Sequence, residues 1–130
     1  MPERSADWLA QAERDLEVAL LNLQGGFYEW VCFIAQQGAE KAVKALIQHE
    51  NGEGWGHSVS QLLELLPAAY SPPAELVEKA KVLDRYYIQP RYPNGFERGA
   101  PKDYYTHHDA VEAIAYAREI LGFCKGKISP

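Results

Sequence analysis

Phe27-Tyr28-Glu29-Trp30-Val31-Cys32-Phe33-Ile34-Ala35-Gln36-Gln37-Gly38-Ala39-Glu40-Lys41-Ala42-Val43-Lys44-Ala45-Leu46 is the stretch that decides the fold. Its first half is apolar nearly all round, which marks a central helix buried by its neighbours. Ala35, Gly38, Ala39 and Ala42 are small and allow close helix–helix approach. Trp30, Ile34, Gln37 and Lys41 fall on one stripe with Lys44 beside it, so polar groups continue an aromatic face. This helix is predicted from about Phe27 to Glu50, ended by Asn51-Gly52.

Other helices follow on both sides. Trp8, Ala12, Leu16, Ala19 and Leu23 recur at spacings of three and four, predicting a helix from about Ser5 to Gln24. Gly25-Gly26 stops it, since glycine accepts the left-handed conformation of a helix C-cap. After a glycine-rich loop, Asn51 to Gly56, Ser58 and Gln61 form a capping-box pattern. They open a short helix with the stripe Val59, Leu62, Leu63 and Leu66, closed by Pro67. Ser71-Pro72 signals a fourth start, with Leu76, Ala80, Leu83 and Tyr87 on one face. Pro90 removes a donor and should end that helix at Gln89. Pro90 to Tyr105 reads as a long loop. Thr106 and Asp109 then cap a last helix whose stripe Ala110, Ile114, Ala117 and Leu121 carries it to about Phe123, before Lys125-Gly126-Lys127. No strand pattern, internal repeat or low-complexity segment stands out. The expectation is all-α: an up-and-down bundle of four to five helices forming one domain, 1–130.

Composition narrows the function classes. A chain of 130 residues can bury roughly two thirds of its unfolded surface without a disulfide or metal staple. A net charge of -5 argues against duplex DNA as a partner, which needs a basic face for counterion release. Cys32 and Cys124 lie in apolar helical patterns and read as buried free thiols of a reducing compartment. The charged N-terminus lacks a signal-peptide core, and no apolar run is long enough to span a bilayer. The cytoplasm is the expected location, with no membrane partner.

Leu83-Asp84-Arg85-Tyr86-Tyr87-Ile88-Gln89-Pro90-Arg91-Tyr92-Pro93 concentrates two arginines, an aspartate and three tyrosines at a helix end. Guanidinium forks suit phosphate, and rings can stack a base. Arg91 and Arg85 are therefore anion candidates, and Tyr87 and Tyr92 base-stacking candidates. The ordinary alternatives are a surface ion pair with Asp84 or Glu97 for Arg91, and core packing for Tyr87; Tyr92, in the loop, is freer to act. Lys41 and Lys44 could add charge, although Glu40 and Lys44 also make a plain i,i+4 pair. His57 precedes the third helix, where free backbone donors attract anions; the ordinary alternative is a histidine that caps the helix or anchors the loop. His107 and His108 point about a hundred degrees apart on a helix and cannot readily chelate one ion, so no metal site is expected. No Walker loop, dinucleotide fingerprint or nucleophile elbow occurs, and no cofactor is expected.

Three blocks resemble the HEPN domain family. They are Trp8…Ala12-Glu13-Arg14-Asp15-Leu16…Ala19 with Gly26-Phe27-Tyr28; Phe33 to Leu46; and Gly56-His57-Ser58…Leu62-Leu63 with Leu83 to Ile88 and Arg91-Tyr92-Pro93. The resemblance implies a helical bundle, commonly a homodimer, with a nucleotide- or RNA-related role. It also implies a possible minimal nucleotidyltransferase partner, as in toxin–antitoxin pairs. HEPN ribonucleases carry an arginine followed closely by a histidine. This chain departs from that pattern: Arg91 has no histidine within reach, and Arg98 and His107 are separated by eight residues. It resembles the Arg-Tyr-Pro branch, for which nucleotide binding is the implied role.

The expected function is a nucleotide-binding or regulatory module acting with a nucleotidyltransferase. The candidates Asp84, Arg85, Tyr87, Arg91, Tyr92, Lys41, Lys44 and His57 make its site. One alternative is a metal-independent ribonuclease with a non-standard pair, His57 and Arg91 across a dimer. Another is a non-enzymatic adaptor docking through Tyr104-Tyr105, either of which a partner could also modify.

Overall fold

Gly26 sets the first corner. Its φ of 80° places it in the left-handed region, and Phe27 N–H donates to the Asn22 carbonyl at 3.0 Å, the long bond of a Schellman cap. That cap ends helix α1 (Ser5–Gly25) and turns the chain into α2 (Tyr28–His49). A computed structural model describes residues 3–129; residues 1, 2 and 130, the ends of the expected 1–130 domain, lie outside the described residues. The remaining helices are α3 (Val59–Glu64), α4 (Ala74–Asp84) and α5 (His107–Ile128), with three short 3-10 turns between α4 and α5. No strand occurs among the described residues, and the expected all-α bundle forms.

Helix α2 touches each of the other four helices. Val31, Cys32, Ala35, Ala39, Ala42 and Val43 are fully buried in it, which is why its apolar residues run nearly all round. Gly38 lets α1 close in: a Cβ there would lie 3.2 Å from the Leu16 side chain and 3.4 Å from the Ala12 carbonyl. The main cluster joins Cys32, Ala35, Ala39, Ala42 and Val43 to Leu62, Leu63, Leu83, Ala113, Ala117, Ile120 and Cys124, while Val31 packs with Ala19, Ala110 and Ile114 in a second one.

Four boundaries or faces differ from expectation. The buried stripe of α1 is Ser5, Leu9, Ala12, Leu16 and Ala19, so Leu9 rather than Trp8 leads it, and Trp8 is half-buried at the edge. Helix α4 starts at Ala74, because Ser71 turns its hydroxyl back onto the Ala68 carbonyl instead of capping. It ends at Asp84, ahead of the predicted Gln89, and Pro90 is buried within a following 3-10 turn. Helix α5 continues past Phe123 to Ile128, which packs on the core. A glycine inside a helix costs only about 1 kcal/mol against alanine, so packing outweighs the Gly126 stop signal.

The box expected at Thr106 forms in full, whereas at Ser58 only the serine half of the expected box is made among the described residues. Ser58 Oγ accepts from Gln61 N–H at 3.2 Å, and Thr106 and Asp109 exchange both capping-box bonds at 3.0 and 3.1 Å. No helix of the described residues is long and apolar enough to cross a membrane. Cys32 and Cys124 are buried and free, and burial pushes both thiols up to about 12.

Candidate functional site

The turns that follow α4 build the site. Arg91 N–H bonds to the Ile88 carbonyl at 3.0 Å, leaving the Tyr87 carbonyl without a backbone donor in the turn. Arg91 supplies the missing donor from its own side chain: Nε donates to Tyr87 O at 2.8 Å. That bond lays the guanidinium against three rings. Its carbon is 4.4 Å from the centroid of Phe33, 4.8 Å from Tyr87 and 5.2 Å from Tyr92. Cation–π attraction of this kind contributes about 0.5–1 kcal/mol at an exposed ring and more when water is excluded. The surface ion pairs with Asp84 or Glu97 do not form among the described residues.

His57 reaches the same place from the glycine-rich loop. Its ring stacks on Tyr87 with centroids 4.4 Å apart and planes at 15°. Its Nδ1 lies 3.1 Å from Glu40 Oε1, and its carbonyl accepts from Gln36 Nε2 at 2.8 Å. Glu40 is only 5% exposed and Gln36 is fully buried. Lys44 Nζ meets the other Glu40 oxygen at 3.1 Å, so this i,i+4 pair is buried rather than a surface pair. Lys44 also sits 5.8 Å from the Trp8 ring.

Arg91, Tyr87, Tyr92 and His57 thus converge, with Lys44 linked to them through Glu40. The other candidates go elsewhere. Lys41 pairs with Asp15 at 2.6 Å across the α1–α2 seam. It lines an open groove of about 650 Å³ with Arg4, Trp8, Gln11 and Arg14, none of which belongs to the Arg91 cluster. Arg85 is exposed, and its side chain has no hydrogen-bond partner among the described residues. Asp84 turns to α3: its carboxylate accepts from Val59 N–H at 2.6 Å, Ser58 Oγ at 2.9 Å and Ser60 Oγ at 2.5 Å. The backbone donors expected to draw an anion toward His57 are therefore occupied by Asp84.

Three residues of the cluster, Phe33, Gln36 and Glu40, lie in the family-like block but are not among the site candidates read from the sequence. Their signal is positional. Gln36 and Glu40 are polar groups four residues apart on an otherwise buried helix, and such groups need partners. The adaptor tyrosines are largely self-engaged. Tyr104 stacks on Phe96 at 4.3 Å and donates its hydroxyl to the Arg98 carbonyl, while Tyr105 packs edge-on to Tyr86 at 5.9 Å. Burial pushes the Tyr105 phenol up to about 12. No group of three or more His, Cys, Asp or Glu among the described residues could hold a metal ion.

Comparison with known proteins adds a family and several relatives. The HEPN domain description matches residues 5–127. A candidate toxin of Methanocaldococcus jannaschii is 28% identical over 127 residues, covering 91% of this chain and 84% of that protein. A crystal structure from Thermus thermophilus superposes with a TM-score of 0.95 at 44% identity, covering 97% of this chain and 99% of the other. An archaeal HEPN homologue gives 0.83 at 47% identity, covering 98% and 100%. A HEPN domain protein of Thermotoga maritima gives 0.78 at 36%, covering 95% and 98%.

Proposed function

The chain belongs to the HEPN domain family, and on that premise we propose that it is a nucleotide- or RNA-phosphate-binding module whose anion site is Arg91. One observation carries the reading: the Arg91 fork is pre-oriented but not spent. Only Nε is committed, to the Tyr87 carbonyl, and no carboxylate pairs with the guanidinium among the described residues. A guanidinium already held flat loses little freedom when it forms paired bonds to a phosphate. Tyr92, 48% exposed, offers a ring face for a base beside it. Arg85 and Lys41 are peripheral in this reading. Asp84 acts by fixing α3.

A minimal nucleotidyltransferase is the proposed partner, in a toxin–antitoxin arrangement within the cytoplasm, and the homodimer is the proposed assembly. The toxin candidate among the relatives supports the pairing. Titration of labelled ATP, GTP and their monophosphates against wild type and Arg91→Ala tests the site. Saturable binding by wild type that weakens at least about tenfold in the variant is the expected result, since a charge-assisted bond contributes about 1.5–3 kcal/mol. The absence of binding by wild type, alone and with the nucleotidyltransferase, would remove it.

A second reading is favoured by the shared ring. His57 and Arg91 both lie against Tyr87 within one chain, so a proton carrier and a phosphate-stabilising cation need not come from two protomers. In that case the module is a ribonuclease with a non-standard pair. RNA cleavage that is unchanged in His57→Ala would eliminate that mechanism.

A further inference from the structure

His57 sits on a loop that contains Gly52, Gly54 and Gly56, yet it is tied down three ways. Gln36 holds its carbonyl, Tyr87 stacks on its ring, and Glu40 meets Nδ1 at 3.1 Å. Gln36 and Glu40 are one helical turn apart on α2, so a single rigid face fixes both the backbone and the ring. The carboxylate of Glu40 is enclosed by donors. Oε2 takes Lys44 Nζ at 3.1 Å, and Oε1 also lies 3.3 Å from Gln36 Nε2. A carboxylate only accepts, so the imidazole nitrogen facing it must donate. The His57 side chain is 52% exposed, and Nε2 has no hydrogen-bond partner among the described residues.

We propose that Glu40 is the positioning residue of this site: it holds neutral His57 as the Nδ1–H tautomer and leaves Nε2 as a free acceptor on an imidazole stacked on Tyr87, the ring that Arg91 also contacts. Free histidine in water favours the opposite tautomer, so the state is imposed by the fold. The consequence for a ligand rests on the phosphate-site reading; the tautomer does not. With Nε2 accepting and the Arg91 fork donating around one Tyr87 ring, the site presents both an acceptor and donors to a ligand.

Long-range proton–nitrogen NMR of the imidazoles at pH 8, on wild type and Glu40→Gln, decides the matter. Wild-type His57 is expected to show a protonated Nδ1 and an unprotonated Nε2, with that tautomer in at least about tenfold excess. In Glu40→Gln the amide can donate, and the excess should vanish or invert while the backbone spectrum stays folded. A wild-type His57 protonated at Nε2 overturns the proposal even if the variant fails to fold. An unchanged tautomer in a folded variant overturns it as well. Titration of both proteins with AMP reports separately: no binding by wild type defeats the phosphate reading and leaves the tautomer result standing.

Discussion

Asp84, the last residue of α4, accepts from the backbone N–H of Val59, the first residue of α3, at 2.6 Å. This bond links the loop that ends in His57 to the helix end that leads to Tyr87 and Arg91. The same carboxylate also takes both hydroxyls, from Ser58 at 2.9 Å and Ser60 at 2.5 Å. A residue with the composition of a ligand contact is thus a fastener between two elements of the site. Ser60 is 7% exposed, so water replaces little of what the carboxylate supplies.

Asp84→Ala should therefore be costly. It strips a cap and leaves a buried hydroxyl without its acceptor, so a loss of about 2–3 kcal/mol is expected. Urea unfolding followed by circular dichroism measures it. A loss below about 0.5 kcal/mol, the range of an ordinary surface substitution, would show that α3 is fixed by packing alone.

Gly38→Val should destabilise by overpacking. Any Cβ at Gly38 would already stand 3.2 Å from the Leu16 side chain and 3.4 Å from the Ala12 carbonyl, and valine adds two methyl groups to that contact. A cost of about 1–3 kcal/mol follows, readable as a lower denaturation midpoint. An unchanged midpoint would mean that α1 can move away from α2 freely.

Alkaline pH should weaken the fold through buried acids. Burial raises Cys32 and Cys124 from an ordinary 9.0 to about 12, and Tyr105 from 10.0 to about 12. A raised folded value favours the protonated form in the folded state. The associated stability is complete below pH 9 and is lost as pH rises from there toward 12. Denaturant midpoints should be flat from pH 7 to 8.5 with respect to these groups and fall above pH 9. Thiol labelling at pH 8 should be slow and should speed up only in denaturant. Rapid labelling of either cysteine in the native protein would contradict the buried, protonated thiols.

Arg91→Lys separates charge from shape. Lysine keeps the cation but loses the planar fork and the stacking on Phe33, Tyr87 and Tyr92. Nucleotide affinity is expected to fall nearly as far as in Arg91→Ala, while Arg85→Ala leaves it within about twofold, because a solvent-exposed charge off the site contributes little. Equal affinity in wild type and Arg91→Lys would reduce the site to a point charge.

The sequence carries the bundle because its signals are local. Gly26, Ser58, Thr106 and Asp109 act within four residues of themselves, and each behaves as its side chain demands. Boundaries fail where tertiary contact overrides a local signal, as at Gly126, or where a cap residue bonds backwards, as at Ser71. The cluster at Arg91 was legible in part. Arg91, Tyr87 and Tyr92 lie together in the chain, whereas the Glu40–His57 contact spans 17 positions and the Asp84–Val59 contact spans 25. Nothing local to Asp84 tells whether it faces a ligand or another helix. Phe33 is hidden for a related reason: its ring serves a cation from another segment.

The most direct measurement follows the Arg91 Nε–Hε resonance during titration with AMP and with inorganic phosphate. The account predicts a saturable shift at Arg91 with both ligands, an Arg85 resonance that stays in place, and additional ring shifts at Tyr92 with AMP alone. An Arg91 resonance unmoved at concentrations where calorimetry detects binding would place the ligand elsewhere and contradict the central claim.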